Sequence, residues 1–314
     1  MPARLRLARV NDERQQETAM ATKDGDATRI AVSAASASTA ADGRVAKAAA
    51  PTPQFQGLTT LALNVAPPLT GILVLLMIWT VVAALSKGTL PGPTKTGASA
   101  LALFAHPFYI KGPNDQGIGW NLLGSMWRVA KGFGLAAVIG IPFGFVLGRF
   151  AVINKAATPI ISLLRPVSPL AWLPIGLAVF KAAGPAAVFV IFICSIWPMI
   201  INTALGVASV PQDYLNVARV LRLSEWKVFT KILLPASIPY VLTGAKLALG
   251  IAWLAIVASE MLTGGVGIGF WLWDEWNNLV MEHIIVAILV IGAVGLLLEQ
   301  GMTTIANRYD YRKN

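Results

Sequence analysis

One cysteine and two histidines in 314 residues leave little material for thiol or metal chemistry. Cys194 has no partner for an intrachain disulfide and no histidine beside it to act as a base. Set in an apolar run, it reads as a buried packing residue. His106 and His283 stand far apart, without metal-ligand spacing. The glycine-rich run at residues 264–269 has neither a preceding strand nor a GK[ST] ending. It is therefore read as a flexible outer turn or re-entrant segment, and not as a phosphate loop. Charge is scarce as well: 13% of residues are charged, against about 25% in soluble domains. No acid–base pair marks a pocket, so no catalytic site, cofactor or metal is expected on this chain.

What the chain has in quantity is apolar surface, with 56% hydrophobic residues and a mean hydropathy of +0.66. That composition is of an integral membrane protein. The net charge of +10 would suggest nucleic acid in a soluble protein. Here the basic residues flank apolar segments, and the charge reads as topology, with the lipid bilayer and no nucleic acid as partner. Residues 1–56 are different: Ala, Ser, Thr, Asp and Arg dominate, and no apolar period is sustained. Such a segment buries too little surface to offset chain entropy and is expected to be a disordered tail. No apolar stretch follows its early arginines, so it is not a signal peptide; Met20 stands as an alternative start.

Six apolar stretches are long enough to span, at about 20 residues per helix. The first covers residues 66–85 and opens on Pro67-Pro68, where missing amide donors cost nothing. A polar Gly/Pro-rich connection completes a segment over residues 57–119. The main membrane domain then occupies 120–307. Its spans are 125–147, 158–180, 185–207, 236–258 and 283–306, and residues 308–314 form a basic tail. In the first of these, Gly140, Gly144 and Gly148 make a small-residue stripe suited to close helix packing. Pro159, Pro166, Pro169 and Pro174 predict that span 158–180 is kinked.

Basic residues set the expected orientation. With both termini in the cytoplasm, the inner segments are the tail, residues 149–155, 211–231 and 307–314. Only Lys87, Lys95, Lys111 and Lys181 fall on the other face. Trp271, Trp273 and Trp276 suit the outer interface, where aromatic rings settle at headgroup depth.

One segment between apolar spans could not dissolve in lipid. Residues 213–235 read DYLNVARVLRLSEWKVFTKILLP, with Arg219, Arg222, Glu225, Lys227 and Lys231 crowded together. Pro211 and Asp213 suit a helix start, and Leu215, Ala218, Leu221 and Arg222 fall near one helical face. Two readings stay open from the residues alone. Either Ala218 permits close docking against a groove in a partner, or the helix lies on lipid through its arginines.

The order of residues in this segment resembles the cytoplasmic loop of ABC importer permeases. That family carries Glu-Ala-Ala, then Gly three residues on, then an apolar residue before Leu-Pro. Asn216-Val217-Ala218, Arg222, Ile232 and Leu234-Pro235 stand at those places, matching the Ala and the Leu-Pro. Arg222 replaces the glycine that would let the loop turn through a left-handed conformation. NVARVLRL is similar to the nitrate and bicarbonate branch. So are LLRPVSPLAWLPIGLAVF, IFICSIWPMIINTALGV, GIAWLAIVASEMLTGGVGIGFWLWDEWN and HPFYIKGPNDQGIGW, which resemble nitrate permeases of the NrtB type.

The resemblance implies an all-α integral membrane fold of six transmembrane helices, the type I importer permease fold. It implies a bacterial cytoplasmic-membrane location and separate ATPase subunits that hold the ATP and Mg. These would dock through the loop 211–235, at Asp213, Asn216, Ala218, Arg219, Leu221, Arg222, Leu223 and Ser224. A periplasmic or lipoprotein substrate-binding protein and a second permease copy, as a homodimer, complete the expected assembly. Nitrate or nitrite is the first expected substrate, then bicarbonate or cyanate, then taurine and other sulfonates. An ATPase-independent secondary transporter is the remote rival; it should show inverted repeats, and none is visible.

Ionisable groups inside spans are costly and become candidates by default. Lys246 and Arg165 meet that test, and a fixed cation could offset part of an oxyanion's dehydration. The bland readings are that Lys246 snorkels and that Arg165 satisfies carbonyls freed by prolines. Ser168, Trp172, Asn202 and Trp253 are further pathway candidates, each equally explained by packing. Glu260 ends the fifth span and is expected to pair with a basic group that the sequence does not name.

Overall fold

The computed structural model describes residues 53–309. Those residues are helical, with one isolated antiparallel bridge between Ile110 and Gln116. Most of the tail expected over residues 1–56, and residues 310–314, lie outside the described part. The chain divides at Gly71 and Ile72 into two units. In the first, residues 53–71 form the opening of helix α1 (Pro53–Leu85). Pro67 and Pro68 were expected at a helix start but sit inside α1. Tandem proline need not end an apolar helix when it has no better way to satisfy its backbone.

In the second unit, after the rest of α1, come α2 (Pro93–Ala105), α3 (Ile118–Arg149), α4 (Ala151–Leu164), α5 (Pro169–Phe180) and α6 (Ala183–Ala208). Then follow α7 (Gln212–Val220), α8 (Glu225–Val228), a π-helical turn (Phe229–Leu233), α9 (Leu234–Thr263), α10 (Ile268–Asn277) and α11 (Met281–Arg308). Among the described residues, Ala66–Leu85, Ile118–Arg149, Ala183–Ala208, Glu225–Thr263 and Met281–Arg308 are long and apolar enough to cross a membrane.

The remaining span departs from expectation. It is not one kinked helix but the pair α4 and α5, bent by 97°. Proline disfavours helical geometry in the residue before it, and Ser168, preceding Pro169, is indeed extended at ψ 140°. Pro166 removes another amide in the same break.

Helix α6 is the centre of the fold, with Ala187, Val190, Ile191, Met199 and Ile200 all buried. Small residues let its two neighbours come close. A Cβ added at Gly132 of α3 would lie 2.6 Å from Ile191 Cβ, and one at Gly144 would lie 2.6 Å from Thr203 Cβ. The glycine stripe is thus a contact line between α3 and α6, as such stripes are in membrane bundles. On the other side, a Cβ at Gly244 of α9 would lie 2.8 Å from Asn202 Cβ. Ser195 Oγ also donates to Ala248 O of α9 at 3.3 Å. Cys194 is buried with Leu173, Ala186, Val190 and Ala255.

At the end of α3 remote from the charged loop, residues 107–117 fold back on themselves. Gly117 N donates to Tyr109 O at 2.8 Å and Gly119 N to Pro107 O at 2.8 Å. The Trp120 indole donates to Phe108 O at 3.1 Å. This turn fixes Asn121, whose Nδ2 donates to Gln116 O at 2.8 Å, and so aims its carbonyl at the glycine-rich run.

Candidate functional site

The charged loop folds as α7, a turn, and α8 running through the π-turn into α9. Pro211 precedes α7 as its N-cap rather than standing in its first turn. Helix α7 ends in a Schellman motif: Leu223 N donates to Ala218 O at 3.0 Å, and Arg222 N to Arg219 O at 3.0 Å. This needs one left-handed residue, and Arg222 supplies it at φ 51°. The expected turn therefore forms without glycine, at a cost of roughly 1–2 kcal/mol for an L-residue.

Ala218 is where the sequence reading needs correction. It is 2% exposed and packs with Phe145, Val207, Val210, Val228 and Leu233 of its own chain. Its small side chain serves close approach of α7 to α3 and α6, so it is unavailable to a partner. The open face of α7 and the turn instead presents Tyr214, Val217, Val220 and Leu221, with Val220 82% exposed, and Trp226 is open beside them. Asp213, Asn216, Arg219, Arg222 and Ser224 are exposed, while Leu223 is half-buried. Arg219 donates to Asn216 Oδ1 at 2.5 Å within the helix. Arg149, at the end of α3, pairs with Glu225 at 3.3 Å across the surface of the loop.

The six intramembrane candidates do not converge. Arg165 is exposed in the α4–α5 break and lines a cavity of about 680 Å³ with Asn154, Thr158, Ser162 and Ile200. The other five candidates do not line that cavity. Ser168 is the exposed residue capping α5. Trp172 meets Phe189 edge-on at 6.5 Å. Asn202 donates to Pro198 O of its own helix at 2.8 Å. Trp253 is core: 3% exposed, it donates from its indole to Ile291 O of α11 at 3.0 Å. Lys246 of α9 pairs with Glu299 of α11 at 3.1 Å.

The most developed polar constellation lies at the far end of α9, and of its members the sequence reading singled out only Glu260 and the glycine-rich run. Glu260 is buried; it accepts from Arg128 Nη1 at 2.6 Å and from Ser125 Oγ at 2.7 Å. Arg128 also donates to Val266 O at 2.7 Å. Three consecutive amides of the glycine-rich run then find side-chain acceptors. Gly267 N donates to Asn121 Oδ1 at 2.8 Å, Ile268 N to Ser125 Oγ at 2.9 Å, and Gly269 N to Glu260 Oε2 at 3.1 Å. Amides opening a helix form an anion nest, and here the chain fills that nest itself.

The run, read from sequence as a flexible outer turn or re-entrant segment, is held as a clamp by these three bonds. Any Cβ at Gly267 would collide with the Glu260 carboxyl group. Gly264 and Gly265 take positive φ, 76° and 90°, to enter the turn. Arg128 and Lys131 both lie inside the apolar span 125–147. The rule that flagged Lys246 and Arg165 would have flagged them too. Lys131 stands 4.9 Å from the Trp127 ring centroid.

One further placement is corrected. Trp271 is 5% exposed and stacks on His283 at 6.0 Å, so it is no interfacial anchor, while Trp273 and Trp276 are exposed. His283 has an acidic neighbour, its Nδ1 lying 3.0 Å from Glu275 Oε2.

Residues 140–310 match the family described as "Binding-protein-dependent transport system inner membrane component". Among curated proteins, the chain is 49% identical over 235 residues to the nitrate import permease protein NrtB of Leptolyngbya laminosa, covering 75% of this chain and 84% of that one. It is 46% identical over 242 residues to the bicarbonate transport system permease protein CmpB of Synechocystis sp., covering 76% and 86%. Among solved structures, a chain of the MetNI methionine ABC transporter aligns with a TM-score of 0.52 at 15% identity. That alignment covers 60% of this chain and 93% of that one, a likeness of fold. Helical spans, loop and sequence agree: the chain belongs to this family and is a multi-pass inner-membrane permease subunit of an ABC importer, of the NrtB type, a transport component and not an enzyme.

Proposed function

We propose that this permease imports nitrate or nitrite, driven by a separate ATPase that docks on the open face of α7. The observation that carries the substrate is the 49% identity to a nitrate import permease across most of both chains. The 46% identity to a bicarbonate permease supports bicarbonate as the second reading. In this reading, two copies of the chain enclose the pathway, and a substrate-binding protein delivers the anion at the glycine-rich end. ATP and Mg stay on the ATPase.

The chain's own residues then divide the work. Tyr214, Val217, Val220, Leu221 and Trp226 supply an apolar docking surface ringed by Arg219 and Arg222. Ala218 and its neighbours tie that surface to α3 and α6. Closure of the ATPase pair moves α7, and the spans rock from inward- to outward-open. Lys246 offers a fixed cation to the dehydrated oxyanion.

The test is uptake of labelled nitrate by cells carrying permease, ATPase and binding protein, against the same cells with a hydrolysis-dead ATPase. Loss of uptake with the dead ATPase supports both class and substrate. Uptake that persists without hydrolysis refutes the coupling. Bicarbonate uptake in place of nitrate establishes the second reading.

A further inference from the structure

Lys246 and Glu299 sit within the apolar helices α9 and α11, yet they are not hidden. Their side chains are 35% and 60% exposed in the single chain, with Nζ 3.1 Å from Oε1. A charged pair turned to hydrocarbon is expensive and rare, and such groups instead face a water-filled cavity or the interior of an assembly. The surface around the pair agrees with this. Gly250, one turn along α9, and Gly292, two turns along α11, would each accept a Cβ with nothing within 4 Å. Thr243 of α9 is exposed on the same side. The open side of α9 and α11 is thus a seam in which one ion pair, two glycines and a hydroxyl stand among the exposed leucines Leu247, Leu254 and Leu296.

The pair differs from the other intramembrane ion pair. Glu260 is held by Arg128, Ser125 and Gly269 together. Glu299, in contrast, has the Lys246 ammonium and open space. A buried network is built to stay; a single exposed contact is built to exchange.

We infer that Glu299 is the resident counter-charge of Lys246 in the translocation pathway, and that the travelling monoanion displaces it from the ammonium. Glu299 is a positioning residue: it keeps Lys246 in place and neutralised while the pathway is empty, and its return expels the anion. This rests on the anion-import reading above. It assigns to Glu299 the release of the anion, and to the Lys246 ammonium the rejection of cations.

Two experiments test it in the complete complex with ATPase and binding protein. In the first, nitrate uptake is followed with Lys246→Gln, Glu299→Gln, Lys246→Arg and the charge swap Lys246→Glu with Glu299→Lys. Lys246→Gln lowers maximal uptake by about tenfold or more, the order expected when a desolvated anion loses its one fixed partner. Glu299→Gln lowers KM and maximal rate together, because the anion lingers on an unopposed ammonium. Lys246→Arg keeps uptake within about threefold of wild type, since the cation remains. The charge swap preserves the pair and the yield of assembled complex but leaves uptake low. Recovery of wild-type uptake in the swap overturns the proposal, because a merely structural pair is indifferent to its direction.

The second experiment does not depend on the substrate. Gly250→Cys in a Cys194→Ala background is treated with a membrane-impermeant, negatively charged thiol reagent in the assembled, ATP-cycling complex. Labelling places the seam on an aqueous path, and absence of labelling places it against lipid or protein and overturns the inference. A wild-type complex that carries neither nitrate nor bicarbonate would refute the substrate reading while leaving this labelling result to decide on the seam.

Discussion

Replacing Arg128 with methionine should cost more stability than neutralising its partner. Glu260 has a side chain 2% exposed, whereas Arg128 is 22% exposed. Removing the guanidinium strips Glu260 of its contact at 2.6 Å and Val266 O of its contact at 2.7 Å. The carboxylate then keeps only Ser125 Oγ and Gly269 N. Breaking a buried pair from one side typically costs about 3–5 kcal/mol. At about 2–4 °C per kcal/mol for a chain of this size, the melting temperature falls by on the order of 10 °C. Glu260→Gln keeps an oxygen acceptor at the nest, and Arg128 can turn partly to water. That change should cost about half as much, near the net worth of hydrogen bonds to a charged group. Arg128→Met with Glu260→Gln removes the uncompensated charge and should recover part of the loss. The assay is thermal unfolding of purified permease in detergent, run as a double-mutant cycle. If Arg128→Met melts within about 2 °C of wild type, the clamp does not hold α3, α9 and the glycine-rich run together, and the reasoning is refuted.

Four other substitutions separate the roles of the remaining contacts. Gly144→Leu drives a side chain into Thr203 and Ile200 O of α6; overpacking of this kind costs about 1–3 kcal/mol or more, and a lowered melting temperature with poor membrane yield is expected. Val220→Asp, on the exposed face of α7, should abolish co-purification of the ATPase without moving the melting temperature, while the buried Ala218→Leu should do the reverse. Glu225→Gln breaks the exposed pair with Arg149; such pairs contribute about 0–1 kcal/mol, so unfolding should shift little and any effect on uptake reports coupling instead.

The spans were legible because hydrocarbon leaves one solution, a run of about 20 apolar residues, and Gly140, Gly144 and Gly148 announced a close helix contact by their spacing, though not that α6 is the partner. What failed was direction. The period that put Ala218 on a helical face could not say whether that face met a partner or Phe145 of the same chain. Proline content foretold a disturbance in span 158–180 but not its size, since the break depends on Pro166 and Pro169 acting within four residues. The clamp was missed for a different reason. Asn121 and Ser125 are separated from the amides that donate to them, and Arg128 from the carbonyl it donates to, by well over a hundred positions, and no local pattern records a pairing of that length. The carboxylate in the glycine-rich nest shows how a motif can be chemically apt and still have no external ligand.

The continuous helical stretch Glu225–Thr263 (39 residues) has a mechanical consequence. At about 1.5 Å per residue it is a bar roughly 58 Å long, with the charged loop at one tip and the Arg128–Glu260 clamp at the other. It is tied to α3 by an ion pair at each end, Arg149–Glu225 and Arg128–Glu260, and laid against α6 at Tyr240, Gly244 and Ala248 between them. A bar fastened at both ends to one neighbour moves with it as a single body, so a push at the charged loop is expected to reach the Glu260 clamp without a relay of small rearrangements.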